Sequence, residues 1–145
     1  MQTFSTTPTG TIAPIYSAEV IVPTDSLATL CTKPFQLIPN PGENKIIEFL
    51  GAVFFYKFNT ASMSGGGNIY ISYLGFSAIS SCISPETLTG EETDKAIQMQ
   101  LGNTANMIMP PNFGLYLQMT DSDFINKESR SYARVHVMYK IHKVA

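Results

Sequence analysis

Apolar and polar residues alternate with a period of two along most of the chain after residue 17. This period is typical of β-strands with one buried face. Strands are expected at residues 18–23, 35–39, 45–59, 69–74, 112–120 and 131–144. Turns or polar loops separate them, and no β-α-β crossover is visible. The pattern predicts an all-β fold, a single antiparallel β-sandwich with a jelly-roll-like topology.

The longest of these strands, residues 45–59, follows the turn Pro39–Gly42, where two prolines fix φ and the glycine allows a positive φ. We expect a stiff hairpin between this strand and residues 35–39. Apolar side chains occupy both sides of the long strand, which predicts a central place in a sheet. The Gly51-Ala52 pair predicts a bulge where the strand passes from one sheet toward the other.

The segment after residue 60 contains a run of glycines, and from Ser84 the alternation of apolar and polar residues changes. The run Gly65–Gly67 predicts a flexible hairpin connection, because strands are expected on both sides and no phosphate-binding motif follows. Ser84 suits a helix N-cap, Pro85 suits the first helical position, and Gly90 limits the helix to one or two turns. We therefore expect one short helix here.

Residues 1–17 are rich in Thr, Ser and Pro, and Pro8 and Pro14 exclude a helix. The segment has too few apolar groups to fold alone, so we expect an extended N-terminal arm before a sandwich domain of residues 18–145. Two interpretations stay open, a frayed tail or an arm that binds a neighbouring subunit. The second would use Phe4, Ile12, Ile15 and Tyr16.

A second apolar group stands in a loop, directly before Pro110 and Pro111. It consists of Met107, Ile108 and Met109, and methionine adapts well to irregular contacts. In a monomer the group would pack under the sandwich, and in an assembly it would form a subunit contact. Both interpretations stay open.

Charged residues make up 14% of the 145-residue chain and hydrophobic residues 44%. An ordinary soluble domain has roughly 25% charged residues. Because a subunit covered by neighbours needs less surface charge than a lone monomer, the composition indicates self-association. The net charge of −2 argues against nucleic-acid binding. The sequence shows no secretory signal and no apolar run of 18 residues, so we expect no membrane span.

Few residues are arranged for metal binding. His136 and His142 would lie about 20 Å apart on one strand, at ~3.3 Å per residue, so they cannot share a metal ion within that strand. Cys31 and Cys82 form no CxxC motif and are expected to be reduced thiols. We expect neither a metal nor a cofactor.

Asp121 and Asp123 form the pair with the clearest catalytic potential, since two carboxylates can act as acid and base. A glycosidase cleft of this kind would usually contain Trp, which the sequence lacks. A polar turn explains the pair more simply. We therefore expect that the protein is not an enzyme.

The order of segments resembles a loose group of small structural proteins of tailed phages. The shared features are the "LIPNPGENKII" turn before a long apolar strand, the "SGGGNIYISY" segment and the final "ARVHVMYKIH" strand, over about residues 30–142. The chain departs from the group at Glu43-Asn44 and at Lys127-Glu128, where small residues or glycines are common. The resemblance implies a head decoration, cement or fibre protein, often trimeric, which binds the major capsid protein or other virion proteins. Its location would be the virion, after assembly in the host cytoplasm.

The sequence thus predicts a non-enzymatic virion structural protein that self-associates and binds a capsid lattice. The alternative is a carbohydrate- or receptor-binding module of a phage fibre or tail. That module would use the "SGGGN" and "DSDF" loops with Tyr70, Tyr116 or Tyr132. A small hydrolase built on the two aspartates is a third hypothesis.

Overall fold

The computed structural model describes residues 13–102, 108–126 and 128–144. Within these residues the chain forms short helices and longer strands. The helices are α1 (Thr24–Ala28) and α2 (Pro85–Leu88). The strands are β1 (Tyr16–Val22), β2 (Phe35–Ile38), β3 (Lys45–Lys57), β4 (Ser64–Gly65), β5 (Ile69–Tyr73), β6 (Lys95–Met99), β7 (Leu115–Met119), β8 (Phe124–Ile125) and β9 (Tyr132–Lys143).

Two antiparallel sheets build the body of the protein. A four-stranded sheet has the order β1-β9-β3-β6 and a three-stranded sheet has the order β2-β7-β5, while β4 and β8 form a small ribbon. Alternate side chains of both sheets point into one apolar core. In β9, for example, Ala133, Val135 and Val137 are fully buried, as the alternation predicted. The prediction of an all-β antiparallel sandwich is confirmed.

The turn Pro39–Gly42 does not close a hairpin. β2 pairs with β7, whereas β3 pairs with β9 and β6, so the turn connects the two sheets. The predicted hairpin was wrong because turn chemistry fixes a change of direction, not the partner of the next strand. Gly42 has the predicted positive φ, 114°.

β3 lies between β9 and β6, so its predicted central position is confirmed. Its register with β9 shifts between Phe49 and Gly51, which is the predicted bulge. The predicted change of sheet was wrong, because β3 pairs with β9 from Lys45 to Lys57. The bulge bends the strand within one sheet instead.

The run Gly65–Gly67 does not form the predicted hairpin either, since β4 pairs with β8 and β5 pairs with β7. Gly67 is needed for a close approach. A Cβ at this position would stand 1.9 Å from the carbonyl oxygen of Thr120. Because glycine has no side chain, the main chain at Gly67 can pass close to the end of β7.

The segment after Ser84 contains the predicted short helix, which forms one turn. α2 starts at Pro85 with Ser84 at the N-cap position. The chain then forms β6, where the sequence predicted no strand, and Ile97 and Met99 pair with Phe54 and Ala52 of β3. α1 was also not predicted from the sequence.

The sandwich is closed along one edge. Beyond β6, the Ser81 N–H donates a hydrogen bond to the Gln100 carbonyl oxygen, and the Gly102 N–H donates one to the Ile79 carbonyl oxygen. The same segment, residues 79–83, bonds β5 through Ile69 and Ile71. At the other edge, β1 and β2 end the two sheets, and among the described residues each pairs with a strand on one side only.

Candidate interaction surfaces

β1 is an edge strand without the usual protection. Within the described residues its main chain bonds only β9, and the seven residue pairs run without a bulge. Edge strands are commonly protected from further pairing by charged side chains, especially Lys, by Pro or by bulges. β1 contains neither Lys nor Pro, although Pro14 and Pro23 flank it. Its one charged side chain, Glu19, is paired with Arg134 of β9. Its outer edge therefore offers free donors and acceptors to another strand.

Large apolar side chains are exposed beside this edge. Ile15 is 63% exposed and Tyr16 is 43% exposed, both among the predicted contact residues, and Ile21 of β1 is 52% exposed. The structure places Tyr16 and Ser17, the last residues of the predicted arm, in β1. Two other predicted contact residues, Phe4 and Ile12, lie outside the described residues.

The predicted apolar group before Pro110 divides into residues with different environments. Ile108 is 82% exposed. Met109 is half-buried and packs against the core. Met107 lies outside the described residues. Of this group, therefore, only the Ile108 side chain is shown to be free for a contact with another protein.

Charged side chains gather on the outer face of the four-stranded sheet. Arg134 of β9 forms an ion pair with Glu19 of β1, and its guanidinium carbon lies 3.9 Å from the ring centroid of Phe55 on β3. His136 Nδ1 lies 3.7 Å from the same glutamate. These contacts join three adjacent strands on the solvent side.

A shallow groove of ≈ 320 Å³ crosses this face. In it, Lys57 Nζ lies 2.6 Å from Asp94 Oδ2. This hydrogen bond and the opposite charge raise the pKa of Lys57 and lower the pKa of Asp94. Lys95 is paired with Glu91 at 3.2 Å. Because each of these lysines has a carboxylate partner, the groove presents balanced charge.

The other sheet contrasts with this face. Residues 34–42, 58–85 and 96–120 contain no Asp, Glu, Lys, Arg or His. These ranges include all of β2, β5 and β7. They also include the loops 39–42, 74–78 and 108–114 next to those strands. We call this sheet with its three loops the charge-free side; Glu43 and Lys45 mark its border.

An exposed apolar cluster of the charge-free side stands at the end of β5. Leu74, Phe76 and Phe113 are 45%, 41% and 37% exposed, respectively. The rings of Phe76 and Phe113 meet edge to face with centroids 5.4 Å apart. We call these three residues the aromatic end. Sequence reasoning missed it, although the absence of charge in its loops is readable in the sequence.

The two aspartates of the predicted polar turn have different environments. Asp121 has a φ of 65°, which Asp tolerates in turns. Asp123 accepts hydrogen bonds of 2.9 Å from the main-chain N–H groups of Cys31 and Thr32, and one of 2.7 Å from the Thr32 hydroxyl. Partial burial opposes its ionisation, but these bonds outweigh that effect and lower the pKa of Asp123. Asp123 thus fastens the loop after α1 to the loop before β8.

The histidines and cysteines do not come together. His142 Nε2 lies 2.8 Å from Glu48 Oε1, far along β9 from His136. Cys31 and Cys82 are free thiols. Across residues 13–102, 108–126 and 128–144, no three His, Cys, Asp or Glu side chains are grouped to hold a metal ion.

Two of the tyrosines named for glycan binding lie on the charge-free side. Tyr70 and Tyr116 are half-buried and stand opposite Gln118 and Ser72 in the β5–β7 pair. Burial, with smaller contributions from Cys82 and Cys31, raises the pKa of Tyr70. Tyr132, also half-buried, starts β9 in the other sheet.

Comparisons with known proteins give no match to a family model, a curated protein or a solved structure. No helix in the described part of the chain is long and apolar enough to cross a membrane.

Proposed function

We propose that the chain is a non-enzymatic structural subunit of a virion, a capsid decoration or auxiliary protein of the cement or head-fibre type. It acts by self-association and by binding the capsid lattice. The observation that carries this proposal is the outer edge of β1, which pairs with no other strand among the described residues and has exposed Ile15, Tyr16 and Ile21 beside it. A monomer normally hides or blocks such an edge, while an assembling subunit uses it.

The mechanism is burial of apolar and neutral polar surface across subunit boundaries. A stable protein–protein interface buries roughly 1,600 Å² in total. The N-terminal arm enters the sandwich through β1, so an arm that contacts a neighbour holds that neighbour close to the open edge. The low charge content of the chain favours such burial, because few charges lose their hydration.

The order of strand pairing also supports a shell-building protein. β1 pairs with β9, β2 with β7, β3 with β6, and β5 with residues 79–83, so the first half of the chain pairs with the second in nested order. Rolling up one long antiparallel hairpin gives these pairs, and we interpret the topology as a jelly roll. Jelly rolls are found in viral capsid proteins and in lectins.

A carbohydrate- or receptor-binding module is the second candidate. Tyr70 and Tyr116 favour it, because half-exposed aromatic rings on a face without charge suit a neutral sugar. Binding of the purified chain to a glycan array would support this candidate. Loss of that binding in Tyr70→Ala and Tyr116→Ala would assign it to this face.

The proposal is tested on particles purified from a host that produces the chain. Electron microscopy with a labelled antibody should show the full chain at regular sites on the particles. A chain without residues 1–12, which retains β1, should fold with an unchanged unfolding midpoint but fail to join the particles. Removal of Val144 and Ala145 is the matched control and should not affect joining. If the shortened chain joins the particles, the arm is not needed for binding. If the full chain is absent from the particles, the proposal is contradicted.

A further inference from the structure

Both rings of the aromatic end are held in place by contacts. Phe76 packs edge-on against Tyr73, with ring centroids 5.9 Å apart, and Tyr73 is buried. The Phe76 N–H also bonds the Tyr73 carbonyl oxygen and closes the turn around Gly75. Phe113 is held by contact with Phe76. Side chains that are fixed before binding lose little entropy on binding.

The neighbouring loops are fixed as well. The Asn40 side chain accepts a hydrogen bond from the Gly114 N–H at 2.7 Å, and the Asn112 side chain accepts one from the Gly42 N–H at 3.0 Å. A Cβ on Gly114 would lie 2.2 Å from the Ile38 carbonyl oxygen, so the loop passes as close to β2 as the main chain allows. The loops next to the aromatic end are therefore preorganised.

This surface shows exposed rings without charge at its centre and charges at its border. Apolar and aromatic centres with a polar rim are typical of protein–protein interfaces. Nucleic acids and anionic membranes are recognised through clustered Lys and Arg, and the loops 39–42, 74–78 and 108–114 contain none. The surface thus suits an uncharged protein partner.

We propose that the aromatic end binds the aromatic end of a second copy of the chain around a two-fold axis. In such an interface each patch meets itself, so any uncompensated charge would face the same charge on the partner. The charge-free side avoids that repulsion, whereas Arg134 and Lys57 stand on the charged face opposite it. A typical contact of about 800 Å² per partner is about a tenth of the 8303 Å² surface of the chain. The inference rests on the proposed function and names one of its subunit contacts.

Sedimentation equilibrium of the purified chain tests the inference without particles. The wild-type chain should dimerise at or below about 100 μM. The variant Phe76→Ser with Phe113→Ser should dimerise at least about 30-fold more weakly, because aromatic anchors carry most of the binding energy at such interfaces. Ile125→Ser is the matched control, since Ile125 is 57% exposed but lies in β8 of the small ribbon, outside both sheets. It should leave dimerisation unchanged.

A charge pair distinguishes a second copy from any other partner. Ser77 is exposed directly after Phe76. Ser77→Glu and Ser77→Lys should each weaken dimerisation, because like charges then face each other across the axis. An equal mixture of the two variants should dimerise at least about 10-fold more tightly than either alone.

Three results would overturn the inference. One is a chain that stays monomeric at about 100 μM. The second is a dimer whose affinity is unchanged in the phenylalanine variant. Failure of the mixture to restore dimerisation would likewise contradict a two-fold contact at this end. Each outcome is independent of whether the full chain joins particles.

Discussion

The hydroxyl of Tyr73 donates a 2.6 Å hydrogen bond to the main-chain carbonyl oxygen of Ile47. Tyr73 ends β5 of the three-stranded sheet and Ile47 lies in β3 of the four-stranded sheet, so this bond joins the two sheets through the core. Tyr73 is only 1% exposed, and water does not compete for the bond. The same ring supports Phe76, so the bond also helps to fix the aromatic end.

Tyr73→Phe should lower the free energy of unfolding by about 1–3 kcal/mol, because it leaves the buried Ile47 carbonyl without this partner. Urea denaturation measures the change. Tyr56→Phe is the control, since Tyr56 is equally buried but its hydroxyl has no partner among the described residues. That variant should leave stability unchanged or raise it. Equal losses in both variants would show that the bond contributes nothing.

Stability should also depend on alkaline pH through Tyr73. Burial, with a smaller contribution from Glu48, raises the pKa of Tyr73 to about 12, above the value of about 10 expected in the unfolded chain. The folded state therefore binds the proton more tightly, and this contribution is complete below pH 10 and lost between about pH 10 and 12. A difference of that size corresponds to about 2–3 kcal/mol.

Urea denaturation between pH 9 and 12 tests this contribution. Tyr73→Phe should show a shallower fall in unfolding free energy over that range than the wild-type chain. Parallel curves for the two proteins would mean that other groups cause the alkaline loss.

The sequence pattern predicted the positions of the strands better than it predicted which strands pair with each other. Alternation located β2, β3, β5, β7 and β9 because their inward residues are apolar in the pattern that one buried face requires. It missed β6, whose Lys95 and Gln98 interrupt the apolar run and follow an acidic helix turn. The pairing of strands was predicted wrongly because a turn such as Pro39–Gly42 can connect two strands of one sheet or strands of two different sheets.

Gly67→Ala should destabilise the protein by about 1–3 kcal/mol or more, because a Cβ there would stand 1.9 Å from the Thr120 carbonyl oxygen. Main-chain atoms cannot move aside as a flexible side chain can. Gly75→Ala is the comparison, since it meets no atom within 4 Å but has a φ of 81°. Its cost should be about 1–2 kcal/mol, from backbone strain alone. A smaller loss for Gly67→Ala than for Gly75→Ala in thermal unfolding would contradict the close approach.

Asp123→Asn should lower the free energy of unfolding by about 1–3 kcal/mol, because hydrogen bonds to a carboxylate are stronger than those to an amide. Asp121→Asn is the matched control two residues away, and it should have little effect. Chemical denaturation at pH 7 compares the two variants. A loss confined to Asp121→Asn would contradict the structural role of Asp123.

The same bonds predict an acid dependence. The pKa of Asp123 is lowered in the folded state, so its contribution is present above the unfolded value of about 3.9 and lost as pH falls below it. Asp123→Asn should therefore lose less stability than the wild-type chain between about pH 5 and 2. An unchanged acid profile would show that other carboxylates dominate.

The interaction surfaces were only partly predictable. Ile15 and Tyr16 were named from an arm with a few apolar anchors, and both are exposed beside β1. The aromatic end was missed because Leu74 and Phe76 follow a strand whose apolar residues enter the core, and the alternation does not reveal where the strand ends. Only the turn at Gly75 and the contact with Phe113 bring these side chains together outside the core.

The mass of the purified wild-type chain in solution tests self-association most directly. Sedimentation equilibrium over about 1–100 μM, at about 0.05 and 1 M salt, should show dimers or larger species whose affinity does not fall at high salt, because the contact surface lacks charge. A mass of 15.9 kDa at every concentration would contradict the account. Dimers that dissociate at high salt would contradict a contact at the charge-free aromatic end.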